Sequence, residues 1–194
     1  ASAHRPTASF NILFAGRLTE QKGIDLLEEI VRGLKDGVTT SSVKLRIAGD
    51  GDRAIVERVK KLAKNYPFVD YLGHVPNDEI SKQYEWTDIT LVTSKYETLN
   101  KVAVETGIHS RVVLSTDIPG PREVIDNHKS GFLLKPEAVA FIECITKLDI
   151  MKSKTPEKFK QIGREARNKI KSEFSAAQVN REFYDHLVRT IDES

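Results

Sequence analysis

The feature that most narrows the choice of fold is an alternation of two periods along the chain. Short apolar, β-branched runs recur at Phe10–Ala15, Val43–Ala48, Phe68–Leu72, Ile89–Thr93, Arg111–Ser115 and Gly131–Leu134. Most are continuous rather than alternating, which is the pattern of strands buried on both faces. Between them the apolar residues fall at helical spacing: Ile24, Leu27, Ile30, Val31 and Leu34 make one stripe, and Ile55, Val59, Leu62 and Ala63 another. Strand and helix in repetition need crossover connections, which are right-handed, so the sheet must be parallel with helices on both faces. The expected fold is α/β, a doubly wound, Rossmann-like sheet of six parallel strands. After Leu134 the chain turns wholly helical, ending in a stripe of Val179, Phe183, Leu187 and Ile191. These C-terminal helices are expected on the sheet's flank.

The 194 residues suit a single domain, expected over residues 10–194. "ASAHRPTAS", residues 1–9, reads as a linker, and a start at Ala1 rather than Met suggests a processed or cut-out piece. Thirty basic and 28 acidic side chains leave a net charge of +2, so no global field draws nucleic acid and any anion site must be local. The basic stretch "REARNKIK" reads as a solvated helix face, with a partner or membrane contact as the alternative. No apolar run approaches the roughly 20 residues that span a bilayer, and none resembles a signal peptide. Cys144, the only cysteine, excludes an internal disulfide and suggests a reducing, cytoplasmic setting; flanked by Ile142 and Ile145, it reads as a buried thiol.

Ligands of doubly wound sheets bind beyond the carboxyl ends of the strands. The loop after the first strand, "AGRLTEQKG", places Gly16, Arg17, Lys22 and Gly23 at the mouth of a helix. Bare backbone, two cations and unpaired helix N–H groups suit a diphosphate. Alone, the loop reads equally as a strand-end turn with solvated cations. It lacks both the Gly-Lys-Ser/Thr of a Walker loop and the Gly-x-Gly-x-x-Gly of a dinucleotide fold, which argues against a nicotinamide-dependent dehydrogenase. "AGDGDR" after the second strand reads as a tight turn with Asp52 capping the next helix.

The stretch "YETLNKVAVETG" holds Glu97 and Glu105 eight positions apart. A helix would separate them by at most about 12 Å. That fits poorly with a glycosidase pair, which sits roughly 5–9.5 Å apart across one bond. Two carboxylates at the ends of a long ligand fit better, each accepting from vicinal hydroxyls. The alternative makes Glu97 a helix-start acid and Glu105 a solvated side chain.

Together, "GRLTEQKGIDLL", "LRIAGDGD", "YLGHVPNDEISKQYEWTDITLVTS", "YETLNKVAVETG" and "STDIPGPREVIDNHKSGFLL" resemble, in order, the C-terminal half of family 4 glycosyltransferases, which have the GT-B fold. The likeness covers about residues 10–135, and "FSAAQVNREFYDHLVRTI" is similar to the family's closing helices. The resemblance implies that Arg17 and Lys22 hold a donor diphosphate, that Glu97 binds the transferred sugar with Thr98, Leu99 and Asn100 beside it, and that Glu105 binds the ribose. Gly16 would lie under the diphosphate, and the segment from Gly73 to Pro76, with His74 and Val75, would bring backbone groups against the nucleobase; a plain strand-end turn is the alternative for His74. In "DIPGPRE", Gly120 resembles the family's loop near the donor, with Glu123 starting a helix. Asn100 stands where the family usually has Gly, and Thr106 where it has Ala; Asn can donate to phosphate.

The implied function is the donor domain of a retaining, hexosyltransferase-like enzyme that binds a nucleoside-diphosphate sugar, with UDP the expected nucleotide and no cofactor or metal. The acceptor-binding N-terminal domain of such enzymes is not in this sequence, so the chain alone is expected to be inactive. The other reading is a non-catalytic nucleotide-sugar-binding subunit of a split transferase, acting with a partner chain.

Overall fold

The computed structural model describes residues 9–35, 42–76 and 78–174. Residues 1–8 of the linker expected over residues 1–9, and the last expected stripe, Val179 to Ile191, lie outside them. Ser9 belongs to the first strand rather than to a linker.

The strands are β1 (Ser9–Ala15), β2 (Ser42–Ala48), β3 (Val69–Gly73), β4 (Ile89–Val92), β5 (Val112–Thr116) and β6 (Phe132–Leu134). They form one parallel sheet in the order β3-β2-β1-β4-β5-β6. The helices are α1 (Ile24–Leu34), α2 (Arg53–Asn65), α3 (Ile80–Trp86), α4 (Lys101–Ile108), α5 (Pro119–Val124), α6 (Ala138–Lys154) and α7 (Pro156–Glu173). Among the described residues, no helix is long and apolar enough to cross a membrane.

Continuous apolar strands follow from two-sided burial. Phe10, Ile12 and Phe14 of β1 pack with the stripes of α1 and α2 and with Phe141 and Ile145 of α6. Leu13 and Ala15 point the other way and pack with Tyr84 of α3. Every stripe residue of α1 named from the sequence is buried. Burying such a side chain contributes about 1.5–3 kcal/mol, which outweighs any helix propensity term.

The last described helices bind the two layers together. α7 begins in the first layer, where Phe159 meets Phe10 edge-on at 6.2 Å, and ends in the second, where Ile170 joins Ala103 and Val113. At the amino end of the sheet, Lys152 Nζ lies 2.6 Å from Asp88 Oδ2 and 3.0 Å from the Ser9 carbonyl. In "REARNKIK" the arginines and Lys171 are exposed as expected, but Lys169 is 12% exposed and bridges Asp126 and Glu173.

Two further sequence expectations need correcting. Glu123 does not start a helix; Pro119 does, and Glu123 falls in the last turn of α5. Asp52 stands at the N-cap of α2, but only its carbonyl caps, accepting from the Ile55 and Val56 N–H groups at 2.9 Å, and its carboxylate makes no cap bond.

Cys144 is buried in α6, and burial pushes its thiol pKa up to about 12. Thiolate is the reactive form. The native chain at pH 8 is therefore expected to resist maleimide labelling until denaturant is added, with labelling tracking unfolding in a mass-spectrometric time course. Rapid modification of the folded chain would contradict this burial.

Candidate functional site

Strand order reverses between β1 and β4, so the loops that follow them diverge and leave a crevice at the carboxyl end of the sheet. Neighbouring loops are tied to each other by their backbones. Gly16 N–H donates to the Ala48 carbonyl (3.0 Å), Leu18 N–H to Asp50 (2.9 Å), and Asp52 N–H back to Leu18 (2.9 Å). Across the crevice, Lys95 N–H donates to the Gln21 carbonyl (2.8 Å), Gln21 Nε2 to Tyr96 (3.0 Å), and Thr93 Oγ1 to Lys22 (2.8 Å).

Gly23 makes this closeness possible. It sits between a 3-10 turn, Glu20–Lys22, and α1, at φ 63°, ψ 46°. A Cβ there would overlap the Thr93 carbonyl oxygen and stand 2.9 Å from its carbon. Gly120 of α5 lies in a similar way on Glu97, where a Cβ would be 2.8 Å from the carbonyl oxygen. The glycine between two prolines thus lets α5 approach the β4 loop.

An open cleft of about 490 Å³ occupies the crevice, lined among others by Gly16, Arg17, His74, Val75, Tyr84 and Glu105. Arg17 and His74 are exposed, and Val75 is half-buried against Leu13, Ala15 and Ala48. Glu105 projects from α4 with Oε2 accepting from Tyr84 Oη at 2.7 Å and Oε1 3.4 Å from Lys101 Nζ. Burial, and then the Glu105 carboxylate, hold the Tyr84 phenol well above its ordinary pKa, so it remains a donor at any working pH.

Lys22 and Glu97 lie beside the cleft rather than among its lining residues. The sequence assigned Lys22 to a diphosphate and Glu97 to a sugar, and the structure pairs the two side chains with each other: Lys22 Nζ is 2.5 Å from Glu97 Oε1, which also accepts from Ser94 Oγ at 2.7 Å. Both side chains are largely buried, 21% and 9% exposed. Asn100 is buried and caps α4, its Oδ1 accepting from Ala103 N–H at 2.8 Å; this leaves its amide NH₂ as the donor. Thr98 and Leu99 are exposed, outside the cleft lining, and Gly73 meets the β2 loop by accepting from Gly49 N–H at 2.7 Å.

The sequence reading passed over three polar residues that line the cleft: Asp50, Tyr84 and Lys101. Lys101, four positions before Glu105, was findable as a helical pair. The Tyr84 contact, made across two elements, was not.

The sequence profile described as glycosyl transferases group 1 matches residues 2–168. The chain belongs to that family. Among group 1 relatives, an uncharacterised glycosyltransferase of Methanocaldococcus jannaschii is 32% identical over 128 residues, covering 65% of this chain and 32% of its own. A glycosyltransferase of Rickettsia africae superimposes with a TM-score of 0.82 at 26% identity over 97% of this chain. HepE of Anabaena, solved in complex with UDP, gives 0.79 at 20% identity over 93% of this chain. This group 1 chain spans about half of each of those two structures, 50% and 49%, and a third of the archaeal relative.

Proposed function

We propose that the chain is the donor-binding part of a retaining hexosyltransferase that takes its sugar from a nucleoside diphosphate, UDP being the nucleotide. The observation that carries this reading is the joining of Arg17 and Glu105 in one cleft at the strand-order reversal, with the Lys22–Glu97 pair beside it. Glu105 accepts from the ribose hydroxyls, Arg17 and Lys22 face the diphosphate, and Glu97 reads the sugar. His74 and Val75 border the base. The presence of UDP in the Anabaena relative supports the nucleotide.

Chemically, breaking the bond between sugar and diphosphate builds negative charge on the leaving oxygens. Fixed cations lower that cost most where water is excluded. Arg17 and Lys22 supply them, so no divalent metal is required. The acceptor is held by a second domain or a partner chain, and the 194-residue chain alone binds donor without transferring sugar. The alternative, a non-catalytic subunit of a split transferase, shares the donor site. A cytoplasmic setting is part of the proposal.

Calorimetric titration with UDP and UDP-glucose in the presence of chelator tests the reading. Saturable binding of both is expected, unchanged when magnesium replaces chelator. Binding that appears only with metal, or a preference for NAD, would overturn it.

A further inference from the structure

Tyr84 lies on α3, which faces α4 across the cleft, and is 1% exposed. A buried hydroxyl is costly unless it is hydrogen-bonded, so an aliphatic or phenyl group would fill this place as well on packing grounds. Its hydroxyl instead meets Glu105 Oε2 at 2.7 Å.

The ring itself is fixed from several sides. Leu13, Ala15 and Ala48 pack around it. The imidazole of His109 stacks on it at 5.3 Å with 23° between planes. His109 Nδ1 is 2.8 Å from the Glu105 carbonyl oxygen, which can only accept, so Nδ1 carries the proton and ties the ring to the α4 backbone. Arg111 Nε donates to the Tyr84 carbonyl at 3.2 Å. A glutamate with three rotatable bonds is thereby held at one oxygen by a phenol that cannot swing. Its other oxygen faces Lys101, whose side chain is 76% exposed and offers a competing direction toward solvent.

We infer that Tyr84 is the positioning residue for Glu105, its hydroxyl holding Oε2 so that the carboxylate is presented to the two ribose hydroxyls of a nucleoside diphosphate. The inference rests on the ribose role proposed for Glu105. Preorganisation of this kind improves affinity for the group being read, without affecting ligands that lack it.

The test compares UDP with 2′,3′-dideoxy-UDP on four proteins: wild type, Tyr84→Phe, Glu105→Ala and the double variant. Both ligands are titrated on the same preparation, so partial unfolding lowers the stoichiometry and leaves the ratio of affinities intact. Wild type is expected to prefer UDP by about tenfold or more, the size of a charged hydrogen bond. Tyr84→Phe is expected to cut that preference by about 3- to 10-fold at unchanged dideoxy affinity. On the Glu105→Ala background it should change neither affinity. If Tyr84→Phe weakens both ligands equally, or acts as strongly without Glu105, Tyr84 is a packing residue and the inference fails. If it keeps the full preference while Glu105→Ala loses it, the inference fails and the ribose role stands. If wild type shows no preference, both fall.

Discussion

Replacing Gly23 with alanine is expected to lower the melting temperature about one and a half times as far as the same change at Gly73, or further. The two glycines have nearly the same left-handed conformation, φ 63° and 68°. At Gly73 a Cβ meets nothing within 4 Å, so only the backbone term is paid, roughly 1–2 kcal/mol, or about 2–8 °C for a domain of this size. At Gly23 the Cβ overlaps the Thr93 carbonyl, which is backbone and cannot rotate away. Forcing an extra carbon into such a contact costs about 1–3 kcal/mol more. The stiffening of the unfolded chain by alanine is equal at the two sites and cancels in the comparison. The displacement at Gly23 would also carry Lys22, whose carbonyl Thr93 holds, away from Glu97, so UDP affinity should fall with stability. Equal melting shifts in parallel calorimetric scans would show that the β1 and β4 loops can part freely.

Glu105→Ala is expected to weaken UDP and UDP-glucose alike, by about 10- to 150-fold, because both carry the ribose and each loses a hydrogen bond to a charged group. Glu97→Ala should act with a different sign on the two ligands. Without ligand, Glu97 occupies Lys22, so a phosphate must compete with it for the ammonium. Removing the acid releases Lys22, and UDP affinity should stay level or rise. The additional affinity that UDP-glucose draws from its sugar should disappear, since only the sugar presents hydroxyls to that carboxylate. Titration of both ligands against both variants, after circular dichroism has shown them folded, resolves effects of this size. Parallel losses for both ligands in both variants would deny that the acids read opposite ends of one donor.

The fold was legible because burial on both faces of β1 and on one stripe of α1 leaves a local pattern. Strand edges were readable to within a residue or so: the third strand runs from Val69 rather than Phe68, and the fifth from Val112 rather than Arg111. The candidate site was legible in its loops, where glycine and charge follow a strand. It was illegible where a contact depends on strand order. Lys22 and Glu97 are 75 positions apart and meet only because β4 lies beside β1. Tyr84 and Glu105 are 21 apart and meet across two helices on one face. Asn100 was read for phosphate, yet its carbonyl caps α4, which only the start of that helix reveals.

The sheet is joined unevenly at its middle. β1 and β2 pair over seven residues, whereas β1 and β4 pair over three, Ile12 to Phe14 against Ile89 to Leu91. Residues 9–73 build one half of the sheet and residues 89–134 the other, and this short seam is where the halves meet. Arg17, Lys22 and His74 come from the first half, Glu97 and Glu105 from the second. A donor held by all of them would work as a clasp closed over this short join, so that drift in the buried side chains flanking the seam would register as a change in affinity before it registered as a change in shape.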